Sequence, residues 1–180
     1  MAVSHLLTHP FRFTISTFKL LCALHLFQTH VFEVGPAQGP SMLPTFSIDG
    51  DWIAADKTHA RNRRGALRVG DLVMYRIPVS PDAMGIKRLV GLPGDYVSIG
   101  TPGQGGQEYM IQSSILTEPK SQVPDGHCWI VGDNLPASRD SRAFGPVPLA
   151  LVTGKVVARC LPFRDAGWFE NGLQPVKNDS

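Results

Sequence analysis

Apolar residues in the body of this chain come in short bursts, and that spacing is the strongest constraint on its fold. Runs at Trp52–Ala55, Asp71–Ile77, Ile86–Gly91, Tyr96–Ile99, Tyr109–Gln112, Cys128–Val131 and Leu151–Leu161 are bounded by Gly, Pro, Asp or Asn. Most are too short for a packed helix and fit strands closed by turns, which predicts a mainly β, antiparallel domain. The 18 Gly and 15 Pro supply the breakers such a fold needs. Leu72-Val73-Met74-Tyr75 and Trp129-Ile130-Val131 are continuously apolar, as expected of strands covered on both faces. Residues 100–107 read as a hairpin connection or flexible loop.

The first 32 residues differ in kind. They contain no Asp or Glu, and their cations are Arg12 and Lys19, accompanied by four His. Phe13–Phe32 is mostly apolar and about 20 residues long, the length of a membrane-spanning helix. Lys19, His25, Gln28 and His30 interrupt it. A single membrane anchor, a peripheral docking helix and a cleaved targeting peptide all remain open. For an anchor, cations on the N-terminal side keep the N-terminus on the cytoplasm-like or matrix-like face, with the body opposite. The expected division is a membrane-anchoring or targeting segment at 1–34, a folded body at 35–170 and a polar tail at 171–180.

With 43% hydrophobic and 18% charged residues the body can bury a core, and a formal charge of +2 gives no footprint for nucleic acid. The basic stretch Lys57, His59, Arg61, Arg63, Arg64, Arg68 is either a solvated loop or a contact for anionic lipid or a partner. Cys22, Cys128 and Cys160 are too few for a disulfide scaffold, although a Cys128–Cys160 bridge stays open. No His, Cys and carboxylate cluster has metal-ligand spacing, and no cofactor is called for.

Three segments carry chemistry. Gly39-Pro40-Ser41-Met42-Leu43-Pro44-Thr45 holds a serine between two prolines, in a stiff turn that presents the hydroxyl. Gly85-Ile86-Lys87-Arg88-Leu89-Val90-Gly91-Leu92-Pro93-Gly94-Asp95, read as a strand, sends Lys87 and Arg88 to opposite faces. A lysine directed inward loses solvation, its pKa falls, and the neutral amine can accept a serine proton. Two solvent-facing cations on an edge strand are the bland alternative. Gly132-Asp133-Asn134, followed by Ser138-Arg139-Asp140-Ser141-Arg142, packs short polar side chains and opposite charges into one loop. That loop could reach a neighbouring site, or be a surface loop with an exposed Asp140–Arg142 pair. A histidine-based triad has only His59 and His127 to draw on, neither in a triad-like segment.

Taken together and in this order, the three segments resemble the type I signal peptidase family, over roughly Gly35 to Phe163. The strings GlyAspAsnLeu and PheGlyProValPro are most similar to the mitochondrial inner-membrane branch. The resemblance implies Ser41 as nucleophile and Lys87 as general base. It implies Ser138 as the group that orients the Lys87 amine, Asp140 and Arg142 as a structural pair, and Met42 as packing beside the site. The Ser41 N–H would be one oxyanion donor. Gly39 replaces a serine that often serves as a second donor in bacterial relatives.

The implied activity is a membrane-bound serine endopeptidase that removes sorting peptides from precursor proteins, needing no metal or cofactor. Its substrate would be an extended segment added to a sheet edge. The implied setting is the mitochondrial inner membrane, with the body facing the intermembrane space. The implied partners are precursor proteins, the lipid bilayer and a related second protease subunit. A bacterial or plastid signal peptidase and a catalytically silent scaffold subunit are the competing readings.

Overall fold

The computed structural model describes residues 10–58, 67–98 and 120–172. Helix α1 (Pro10–His30) is followed by β1 (Phe32–Ala37), β2 (Asp51–Asp56), β3 (Leu72–Ile77), β4 (Ser80–Gly91), β5 (Tyr96–Ser98), β6 (Lys120–Gln122) and β7 (His127–Val131). The helical turn α2 (Ser141–Phe144) precedes β8 (Val147–Pro148), β9 (Val152–Leu161) and β10 (Gly167–Trp168). All strand pairs are antiparallel, so the predicted fold class is found.

The main sheet runs β1-β2-β9-β3-β4-β7-β8, with β10 beside β9, while β5 and β6 form a separate pair. Strand β9 thus stands between β2 and β3. Among the described residues strand β1 is an edge, and β4 pairs with β7 only from Arg88 onward, which leaves its first half without a partner on that side.

Continuous burial along Leu72-Val73-Met74-Tyr75 has the expected cause. Leu72 and Met74 join Met42, Phe46, Ile53 and Val156 on one face, and Val73 and Tyr75 join Leu89, Cys128, Ile130 and Val147 on the other. Each such side chain contributes about 1.5–3 kcal/mol by leaving water.

Several expectations change. Strand β1 begins at Phe32, two residues after α1 ends, ahead of the first apolar run singled out in the body. Strand β4 starts at Ser80, six residues before the apolar run, because the hairpin with β3 carries polar residues into the ladder. No helix among the described residues is long and apolar enough to cross a membrane. Helix α1 has the length, but Lys19, His25, Gln28 and His30 lower its apolarity. Cys128 and Cys160 are free thiols; Cys128 is buried, lies 3.4 Å from the Val147 carbonyl, and burial pushes its pKa up to about 12. The run Tyr109–Gln112, the loop 100–107, His59 to Arg64 and most of the polar tail lie outside the described residues. Of the remaining basic stretch, Lys57 pairs with Glu33 at 2.8 Å.

Candidate active site

Ser41 lies in a helical turn, Pro40–Met42, entered through Gly39 at φ 99°, a backbone region that side chains rarely adopt. The turn is held from both ends: the Gly39 N–H donates to the Ile48 carbonyl at 2.8 Å, and Phe46 N–H to the Met42 carbonyl at 3.0 Å. Met42 is buried and ties the turn into the core.

Lys87 is only 6% exposed, so the picture of two solvent-facing cations fails. Its Nζ hydrogen-bonds Ser41 Oγ at 2.5 Å. Burial lowers the amine pKa from its usual 10.5; nearby Asp140 and Asp133 oppose this and Arg142 assists it, and the net direction is down. Arg88 takes the other face. It holds Asp133 in a two-point clasp, Nε to Oδ1 at 2.8 Å and Nη2 to Oδ2 at 2.7 Å, and donates to the Gly70 carbonyl at 2.8 Å.

Each residue of the Gly132-Asp133-Asn134 loop reaches a different part of the site. The Gly132 N–H donates to Asp140 Oδ2 at 2.9 Å. Asp133 takes the Arg88 clasp and also accepts from the Thr45 hydroxyl. Burial alone would raise the Asp133 carboxyl, but the bonds from Arg88 and Thr45 outweigh it and hold the group below the usual carboxylate range. Asn134 touches the nucleophile turn twice, its N–H on the Ser41 carbonyl at 3.1 Å and its Nδ2 on the Pro40 carbonyl at 3.0 Å.

Gly132 has no room for a side chain. A Cβ there would sit 2.5 Å from the Ser41 carbonyl oxygen and closer still to Ser138 Oγ. Gly132→Ala is therefore expected to cost about 1–3 kcal/mol in overpacking and to push Ser41 away from Lys87. A lowered thermal midpoint together with slowed cleavage is the outcome to look for; wild-type values of both would contradict this packing.

Asp140 is fully buried, which overturns the picture of an exposed surface pair. It caps α2 through the Arg142 N–H, meets Arg142 Nε and Nη2 at 2.9 Å each, and accepts from Gly132 and Ser138. Burial pushes its carboxyl up, yet Arg142, the Gly132 N–H and Ser138 together hold it below the usual range. Arg142 also donates to the Leu135 carbonyl at 2.8 Å. The Ser138 hydroxyl donates to Asp140 Oδ2 at 2.6 Å, a charge-assisted bond.

A cleft of about 530 Å³ opens beside Ser41 and Lys87. The edge strand β1 and the unpartnered half of β4 border it, with Met42, Met74 and Phe144 among its walls and Arg139 on its rim. Two strand edges flanking an apolar trough can take an extended peptide. Among the described residues no group of His, Cys, Asp and Glu could hold a metal ion.

A serine hydroxyl set against a shielded amine, beside a trough shaped for extended chain, is the equipment of a serine endopeptidase. The chain belongs to the signal peptidase family, peptidase S26, whose family model matches residues 11–107 and 101–161. It is 42% identical over 144 residues to the mitochondrial ATP-independent inner membrane protease subunit 1a of Arabidopsis thaliana, covering 80% of this chain and 79% of that one. It is 34% identical over 166 residues to the mitochondrial inner membrane protease subunit 1 of Schizosaccharomyces pombe, covering 92% and 96%. The subunit 2 of the same yeast is 32% identical over 140 residues, covering 78% and 71%. The chain is thus a serine endopeptidase of the signal-peptidase type.

Proposed function

We propose that this chain removes N-terminal sorting peptides from precursor proteins at the mitochondrial inner membrane, using Ser41 as nucleophile and Lys87 as general base. The observation that carries the reading is the 2.5 Å contact between the two groups with the amine withdrawn from water. Neutral Lys87 takes the Ser41 proton as Oγ attacks the scissile carbonyl, and the Ser41 N–H binds the developing oxyanion. The ammonium then protonates the leaving amine. A water, deprotonated by the same lysine, releases the acyl group and restores Ser41. Asp140 and Arg142 hold the loop that backs the site, with Ser138 bonded into that pair. The test is to incubate the purified chain with candidate precursors and sequence the new N-termini, with Ser41→Ala as control. A discrete cut made by the wild type alone supports the reading; an identical cut by both proteins removes it.

The membrane assignment is carried by α1, whose Phe11, Phe18, Leu20 and Leu21 are all more than half exposed. At about 1.5 Å per residue the helix is about 31 Å long, close to the thickness of a bilayer core. Its polar groups, Lys19, His25 and Gln28, are tolerated in lipid when they face protein. That agrees with a related second subunit as partner, the arrangement suggested by relatives named as subunits 1 and 2. Arg12 and Lys19 favour an N-terminus in the matrix, with the sheet domain in the intermembrane space. Alkaline carbonate extraction is expected to leave the full chain in the membrane pellet and to release a chain lacking residues 10–30. Recovery of the full chain in the supernatant would remove α1 as the tether.

A further inference from the structure

We infer that Asn134 is a positioning residue for the oxyanion donor: its side-chain amide sets the plane of the Pro40–Ser41 peptide and so aims the Ser41 N–H into the cleft. The inference rests on the Ser41 reading above and adds a group that the reading does not contain.

The argument begins with peptide geometry. The Pro40–Ser41 bond is not among the cis bonds, so the Pro40 carbonyl and the Ser41 N–H belong to one planar unit and point in opposite directions. Whatever fixes the carbonyl also fixes the N–H. Asn134 Nδ2 donates to that carbonyl at 3.0 Å, from a loop 94 residues away in sequence. Among the described residues the only other bond to it is from the Leu43 N–H at a long 3.3 Å, within the turn itself. The Ser41 N–H, by contrast, donates to no acceptor among the described residues. An aimed donor left unpaired is what an oxyanion site requires, since its bond is then made only as charge develops.

Two further features sharpen the assignment. Gly39 supplies no hydroxyl, so the Ser41 N–H carries more of the oxyanion than it would beside a serine at that position. A hydrogen bond to a peptide carbonyl also polarises the N–H of the same unit, which strengthens its donation. Asn134 is itself anchored independently of its side chain, because its backbone N–H holds the Ser41 carbonyl at 3.1 Å. Truncating the side chain therefore frees the peptide plane without releasing the loop.

The test uses the full-length chain in detergent, a precursor whose cut has been mapped with the wild type, and a peptide aldehyde carrying the residues before that cut. The aldehyde adds to the serine hydroxyl and places an oxyanion where the tetrahedral intermediate has one. Asn134→Ala is expected to lower kcat by about 10–100-fold, less than deleting an oxyanion donor outright, with KM changed less than about twofold. Aldehyde affinity should fall by the same factor as kcat/KM, and the pH midpoint of the rate should stay where Lys87 sets it. Asn134→Asp keeps the shape but offers the Pro40 carbonyl an acceptor, and should lose at least as much. Wild-type kcat in both variants overturns the inference, as does a fall in kcat with aldehyde affinity unchanged. A fall confined to Asn134→Ala and matched by a lost thermal midpoint also overturns it, as a purely structural effect. Ser41→Ala separates the two levels: activity in that variant removes the nucleophile itself, whereas a dead Ser41→Ala beside fully active Asn134 variants removes only the role of Asn134.

Discussion

Lys87→Met is expected to lower cleavage at pH 7 by about 10³–10⁴-fold while leaving the fold at least as stable as before. The two halves of that expectation come from the same burial. An amine that is 6% exposed gives up hydration in the folded chain, and a thioether of similar length gives up none. Thermal midpoint should therefore hold or rise as activity disappears. Lys87→Arg should be equally inactive, because a guanidinium does not release its proton in this range. Ser41→Ala should cost more still, since no nucleophile remains. The pH profile supplies the sign. The base works only when neutral, and burial has moved its pKa down from 10.5, so the rate should climb as pH approaches the lowered value from below and then level off. Purified Lys87→Met protein that still cleaves, or a wild-type rate flat from about pH 5 to 9, would dispose of the lysine as base.

Asp140→Ala should produce the largest loss of stability, about 3–5 kcal/mol, read as a fall in the denaturant midpoint. The carboxylate has no exposed surface, and its removal leaves the Arg142 guanidinium, the Gly132 N–H and the Ser138 hydroxyl without their acceptor. Asp140→Ala with Arg142→Ala should be less damaging than the two single losses added together, because the second change removes the stranded charge. A cost below about 1 kcal/mol for Asp140→Ala would mean the pair behaves as an ordinary surface contact. The pH dependence follows from the direction of the shift. Asp133 and Asp140 both titrate below the usual carboxylate range in the folded chain. Their contribution is therefore complete above the unfolded value, about pH 4, and drains away as pH falls through the lower folded values.

Sequence reading reached the fold class and the proposed nucleophile–base pair by different routes. Short runs closed by Gly and Pro were enough for antiparallel strands. Ser41 and Lys87 came from motif strings, since nothing across their separation of 46 positions says that the two side chains meet. The clasp of Arg88 on Asp133 and the reach of Asn134 to Pro40 were hidden for the same reason: they span 45 and 94 residues, and local pattern carries no information at that range. Alternation at Lys87-Arg88 did say that the two cations part company, but not what Arg88 would find. Strand β1 was missed because Gly35-Pro36 reads as a breaker, and an edge strand is one of the few places in a sheet where a proline is tolerated. Strands β8 and β10 are two residues each, below the length at which any period is visible. The bond from Ser138 to the carboxylate two positions away is local, yet residue type alone does not say which acceptor the hydroxyl takes.

The place of β9 in the sheet has a consequence for when the enzyme can act. Ser41 travels with the β1–β2 pair and Lys87 with the β3–β4 pair, and the ladder that joins the two pairs is β9, from the far end of the chain. A polypeptide cut short before Val152 lacks that ladder and keeps only loop contacts, such as those of Asn134, to hold the Ser41 turn near Lys87. Proteolytic competence is then expected to arrive only with the strand that closes the sheet.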